Sequence, residues 1–399
     1  MGTGGHSHQH SAGDRDMPPL NAAVARWLWP IVVVCGIATL LALIVMWPSS
    51  DDVFGDPLAL DADPIAADVE VDDIVACSYA ADVECRLIGF VMLDGPYEGD
   101  FGAMEQNIET SIRAGDEISV VAFESESGER VYSFYEFRRG GSMQVLLMLF
   151  VGAVLVLGRW RGLGALAGLG ASLLIIVVFT LPAILNGSNA LTVAIVTASV
   201  IAFIALFLAH GFEIATAVAL VSTLASLVLT ALLAWVFATT SNLTGLTDDS
   251  SFLLAGLRTG IDARGIVLAG IVIGALGVLD DVTVTQVSAV WELKRVQPEL
   301  TLAGVMKPAL RIGRDHISST VNTLFLAYAG AALPLLLLFV EAGQSISNVV
   351  TREIVATELI RAMVGSIGLV ASVPISTWLA ALVVSEPSRC IVRSSSVAE

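Results

Sequence analysis

The run from residue 265 to residue 291, GIVLAGIVIGALGVLDDVTVTQVSAVW, restricts the fold more than any other stretch of the chain. It is apolar enough to cross a bilayer, yet it holds Asp280 and Asp281 side by side, followed by Thr283, Thr285, Gln286 and Ser288. A spanning helix needs roughly 20 apolar residues, whereas only 14 lie from Ile266 to Leu279 ahead of the first acid. Either the helix starts earlier or the acids sit at membrane depth. An ionisable side chain there costs roughly 2.5 kcal/mol or more and is retained where a partner or a water-filled cavity offsets that cost. The pair is therefore the leading candidate site, set against the plainer reading of two acids at the cytoplasmic end of an ordinary helix.

Composition supports a membrane setting. The 399 residues are 55% hydrophobic and 15% charged, with a mean hydropathy of +0.80, which leaves too little polar surface for a soluble globule. The net charge of -18 is unevenly placed, because 22 of the 38 acidic residues lie between Asp51 and Glu136. Such a segment repels nucleic acid and anionic lipid, and its charge suits the outer side of a membrane.

In chain order, residues 1–26 read as a disordered cytoplasmic tail containing His6, His8 and His10, which are expected to be solvated rather than metal-bound. Residues 27–47 form a first transmembrane helix with Trp27 and Trp47 at its two interfaces. Arg15 and Arg26 precede it, so the N-terminus is expected inside. Residues 48–68 read as an acidic linker. Residues 69–142 alternate in short apolar runs with Gly and Asp turns, which predicts a small OB-like β-barrel of about five strands outside the membrane. Within it Cys77 and Cys85 are placed to form a disulfide; two free thiols or a weak metal pair are the alternatives.

Seven further apolar segments follow in residues 143–385: 143–158, 163–185, 190–209, 214–237, the central stretch, 317–340 and 359–384. Residues 250–262 are too short to span and read as amphipathic or re-entrant. Lys and Arg at the inner turns give a polytopic α-helical membrane protein of about eight transmembrane helices, with both termini and the tail 386–399 cytoplasmic and residues 48–142 extracytoplasmic.

On the central helix Asp281, Thr285, Ser288 and Glu292 form one polar stripe, and Gly270 and Gly274, in small-xxx-small spacing, are assigned to the opposite side. Asp315 and His316 are expected to open the next spanning helix, with Ser319, Thr320, Asn322 and Thr323 close behind. Carboxylate, hydroxyl and imidazole groups at one level are the material of an ion or proton path; the competing reading is that they only bond helices together. His210 and Glu213 read as an interfacial turn, and Glu341, Arg352, Glu353, Glu358 and Arg361 as charges that could pair across the outer surface, where exposed pairs decide little.

Adjacent aspartates on a helix point about 100° apart, so they cannot share a proton as a catalytic dyad does. No enzyme activity and no cofactor are expected, although the site leaves room for a bound cation. The partners expected are the bilayer, a small ion or solute and a second copy of the chain, but not nucleic acid.

GALGVLDDVTVTQ (residues 274–286) and RIGRDHISSTVNTLFLAYAGAALP (residues 311–334) resemble the YibE/F-like membrane protein family, with similarity over residues 74–384. The resemblance implies a multi-spanning protein of the bacterial inner membrane and carries architecture rather than an activity. The expected function is transport or conduction of a small ion or solute, with Asp280 and Asp281 binding it and Thr283, Thr285, Gln286, His316, Ser319, Thr320, Asn322 and Thr323 lining its path. The alternative is a scaffold whose outer domain binds a partner.

Overall fold

The computed structural model describes residues 20–48, 64–77, 80–107, 111–124, 130–247 and 261–385, with residues 109, 252 and 256. The His-bearing tail, most of the acidic linker, most of the 250–262 segment and the C-terminal tail lie outside the described residues. The chain divides into two compact units, one of residues 54–157 and one of residues 1–53 with 158–399.

The smaller unit holds a five-stranded antiparallel sheet. Its strands are β1 (Ile65–Cys77), β2 (Ala80–Met92), β3 (Phe101–Asn107), β4 (Glu117–Glu124) and β5 (Arg130–Phe137), in the spatial order β3-β2-β1-β4-β5. Strand β1 starts within the stretch read as linker, because Ile65 and Ala67 pair with Val120 and Ile118 and turn into the core. Alternation places Ile88, Phe90 and Met92 on the same buried face as Met104, Ile118 and Val120. Gly102 leaves room for the Phe90 ring, which a Cβ would meet at 2.6 Å, and Tyr132 packs edge-on against that ring at 5.5 Å. Cys77 and Cys85 are joined by a disulfide with a Cα–Cα distance of 5.1 Å. Its removal in a Cys77→Ser/Cys85→Ser variant is expected to lower the stability of this unit by about 2–3 kcal/mol, read as a shift in its thermal unfolding.

The helices are α1 (Ala22–Val45), α2 (Gly140–Trp160), α3 (Gly162–Leu185), α4 (Ala190–His210), α5 (Ile214–Thr240), α6 (Ala263–Val296), α7 (Leu302–Ala331), α8 (Leu333–Glu341), α9 (Ile346–Val350) and α10 (Glu353–Val384). Among the described residues seven helices are long and apolar enough to cross a membrane, and α7 with α8, bent by 58°, raises the number to eight if the pair is one span. The bend falls where Pro334 enters α8, since proline has no N–H for the preceding turn.

Helix α7 corrects one expectation. It begins at Leu302, capped by Thr301, so Asp315 and His316 lie in its middle and do not open it. Lys307, Arg311 and Arg314 are exposed on the face away from buried Val305, Ala309 and Gly313. The charged run is thus one side of an amphipathic helix rather than a loop.

Helix α6 occupies the centre of the larger unit and packs against α4, α5, α7 and α10. Its Ala275, Leu276, Leu279 and Val290 meet Ala217, Leu220 and Leu227 of α5 and Leu369, Val373 and Ala380 of α10 in one apolar cluster. Small and hydroxyl residues let these helices approach closely. Ser222, Ser226 and Thr230 of α5 donate to carbonyls one turn back at 2.8 Å, so their burial leaves no hydroxyl unpaired. The backbone N–H of Asn21 donates to the Val383 carbonyl at 2.7 Å, which puts the start of α1 beside the end of α10.

Candidate functional site

Asp280 and Asp281 stand near the midpoint of α6, which is 34 residues long and about 51 Å from end to end at 1.5 Å per residue. The helix continues to Val296, so the acids do not mark its end. Asp280 is half-buried and Asp281 exposed. Asp280 accepts locally: its carboxylate takes the Asp281 N–H at 2.9 Å and its carbonyl takes the Thr283 hydroxyl at 3.0 Å. Among the described residues no side chain from another helix forms a hydrogen bond or ion pair with either carboxylate.

The remaining candidates separate into groups. Thr283 is buried and its hydroxyl pairs with Thr223 of α5 at 2.6 Å. Gln286, only 2% exposed, donates to the Ala309 carbonyl at 2.8 Å and to Thr377 Oγ1 at 2.7 Å, tying α6 to α7 and α10. These two hold helices together. Thr285 lies with Asp281, Ser288 and Glu292 on the face that the single chain leaves exposed. On α7, Thr320 and Thr323 donate to carbonyls of their own helix, those of His316 and Ser319, at 2.9 and 3.0 Å. Ser319 and Asn322 are exposed, and the buried Nε2 of His316 has no hydrogen-bond partner among the described residues. Asp280 and His316 are not bonded to each other.

The two glycines fall on the polar side rather than opposite to it. At about 100° per residue, Gly270, Gly274 and Gly277 lie within about 40° of Asp281, and all three are exposed on the same face. Toward the start of α6 this face is bordered by side chains of α7 and α10. A Cβ on Gly274 would come 3.4 Å from the Tyr328 hydroxyl and one on Gly270 3.8 Å from Arg361 Nη2. Arg361 is half-buried on α10 and pairs with Glu358 at 3.0 Å, so two of the charges expected to pair do so, in a half-buried setting rather than an exposed one. Glu353 is likewise engaged, because its carboxylate accepts from the backbone N–H of Gly245 at 2.8 Å and from the Thr244 hydroxyl, which fastens the turn after α5 to α10.

Toward the other end the same side of α6 borders a cavity of about 630 Å³. It is lined by His210 and Glu213 from the α4–α5 turn, Thr216 of α5, and Val284, Val287, Ser288, Trp291 and Glu292 of α6. Within about 40° of Asp280 lie Val284, Val287 and Trp291, and Val284 is about 6 Å further along the axis. Asp280 therefore heads the row of residues that forms one wall of the cavity. Sequence reasoning read His210 and Glu213 as an interfacial turn and did not join them to the site, because that turn is brought to α6 only by the packing of α4 and α5. Gly211, at a φ of 76°, makes that turn tight.

A long central helix with mid-span acids, packed among apolar helices and flanked by a cavity, defines a polytopic protein of the kind that fits a membrane. Residues 146–386 match the family described as YibE/F-like protein, and the chain belongs to that family. The match runs from within α2 to the end of α10 and leaves α1 and the β-sheet outside it, whereas the resemblance read from the sequence extended to residue 74. No curated protein and no solved structure matches the chain.

Proposed function

We propose that the protein is a membrane transporter or channel for a small cation, with Asp280 and Asp281 at its intramembrane site. The observation that carries this reading is Asp280: a half-buried acid at the middle of the central helix, without a counter-charge among the described residues, at the head of a cavity wall. An acid in that position is retained when something positive visits it. Thr285, Ser288 and Glu292 continue the polar side toward the end that carries Lys294 and Arg295, and Tyr328 and the Arg361–Glu358 pair border it toward the other end.

The contacts Gly270–Arg361 and Gln286–Thr377 make α6 and α10 parallel, so Val383 and Asn21 lie at the Lys294 end. The positive-inside rule makes that end cytoplasmic in a bacterial inner membrane, with eight crossings and both termini inside. The sheet then belongs outside, as a partly open, OB-like barrel whose β3 and β5 edges approach each other.

The test is reconstitution of the full chain in liposomes, with flux of protons and a panel of monovalent and divalent cations measured for wild type and Asp280→Asn. Flux in wild type that the variant loses is the expected result; wild-type flux no greater than in empty vesicles across the panel would overturn the reading and favour the scaffold. Thr283→Val serves as an internal control. It removes an interhelical bond worth about 0.6 kcal/mol, so it should lower the melting temperature slightly and leave flux intact.

A further inference from the structure

We infer that the cavity between α6 and the α4–α5 turn binds a small organic ammonium ion. This rests on the transport reading for its use, since the cavity wall continues the row of residues that Asp280 heads, but the site is defined by its own groups. Its volume of about 630 Å³ is that of a small-molecule pocket and far more than a bare ion occupies.

Three features select the ligand. Glu213 is the residue before α5, and its side chain makes no capping bond to that helix, so its carboxylate is uncommitted. Glu292 is partly neutralised by Arg295 at 2.6 Å, which leaves the lining acidic while holding one acid in place. Trp291 is half-buried and lines the same cavity as both acids, and an indole together with carboxylates is the combination that holds substituted ammonium groups. Among the described residues no three His, Cys, Asp or Glu side chains converge as a metal site would require. The acids border a volume rather than a point.

Thr216 supplies an independent sign that something polar enters. It is 4% exposed, lines the cavity and forms no hydrogen bond to a described residue. The hydroxyls further along α5 donate to the carbonyl four residues back. For Thr216 that residue is Phe212, which precedes the helix, so the local solution is denied to it. Its hydroxyl is therefore left to bond a ligand hydroxyl or amine in the cavity. His210 and Ser288 add further polar contacts at the rim.

The probe is choline, measured by equilibrium binding to the purified full chain in lipid nanodiscs, with no gradient present. Its uncharged carbon isostere, 3,3-dimethylbutan-1-ol, matches it in shape. Choline should bind saturably, with the isostere about tenfold or more weaker, and Glu213→Gln and Trp291→Leu should each weaken choline by a similar factor while retaining the wild-type elution profile. Equal binding of choline and isostere, no saturable binding of choline, or folded variants that bind it as wild type does would each overturn the inference. The isostere comparison uses wild-type protein alone, so it decides the matter even if a variant fails to fold. Choline binding without cation flux would leave the cavity assignment standing and remove transport. Flux that depends on Asp280, without choline binding, would do the reverse.

Discussion

Asp280→Asn is expected to reduce cation flux to the level of empty vesicles while the protein elutes and melts as wild type does. Asparagine keeps the shape of the side chain and can still accept the Asp281 N–H through its carbonyl oxygen, so the local helix geometry survives. Only the charge is lost, and no ion pair among the described residues depends on it. Asp281→Asn should retain a measurable part of the flux, because Asp281 is exposed and stands about 100° around the helix from Asp280. Equal and complete loss in both variants would show that the two acids act as one site. Full activity in Asp280→Asn would remove this residue from the path altogether.

The second large effect is expected at Gly313, where α7 crosses α6 and α10. A Cβ built there would meet Val373 Cγ1 at 2.5 Å and Gln286 Oε1 at 2.9 Å. Gly313→Val therefore overpacks a junction that Gln286 also holds by its bonds to Ala309 and Thr377. Overpacking of this kind costs about 1–3 kcal/mol, and displacement of the Gln286 amide adds to it. The melting temperature in detergent should fall clearly. Gly330→Ala, in the same helix with nothing within 4 Å of the added carbon, should leave it unchanged or raise it, since alanine favours the helix by about 1 kcal/mol. A similar response at both positions would mean that α7 does not pack through Gly313.

The long apolar helices were legible because an apolar run of bilayer length is a pattern that few other structures need. Turn residues likewise marked the strands β4 and β5 at their observed positions. Charge was a poorer guide. Lys307, Arg311 and Arg314 lie ahead of the segment expected to span at 317–340, yet they belong to α7, because one charged face is compatible with a helix if the other face is Val305, Ala309 and Gly313. The polar residues of α6 posed a related difficulty. Thr283, Thr285, Gln286 and Ser288 look alike in the sequence, and only the helical angle separates the two that bond to neighbouring helices from the two that face open space. The same arithmetic, carried back to Gly270 and Gly274, places the glycines on the polar side. What no local pattern could supply was the cavity, which depends on how the α4–α5 turn meets α6.

The bond between Asn21 and Val383 has a consequence for biogenesis. Helix α1 is synthesised long before α10, yet its first turn rests on the last turn of α10. Helix α1 packs against α4 and α5 as well, so it can dock before α10 is made, but its first turn gains this bond only afterwards. A product truncated before α10 would keep those earlier contacts and leave the Asn21 N–H without the Val383 carbonyl.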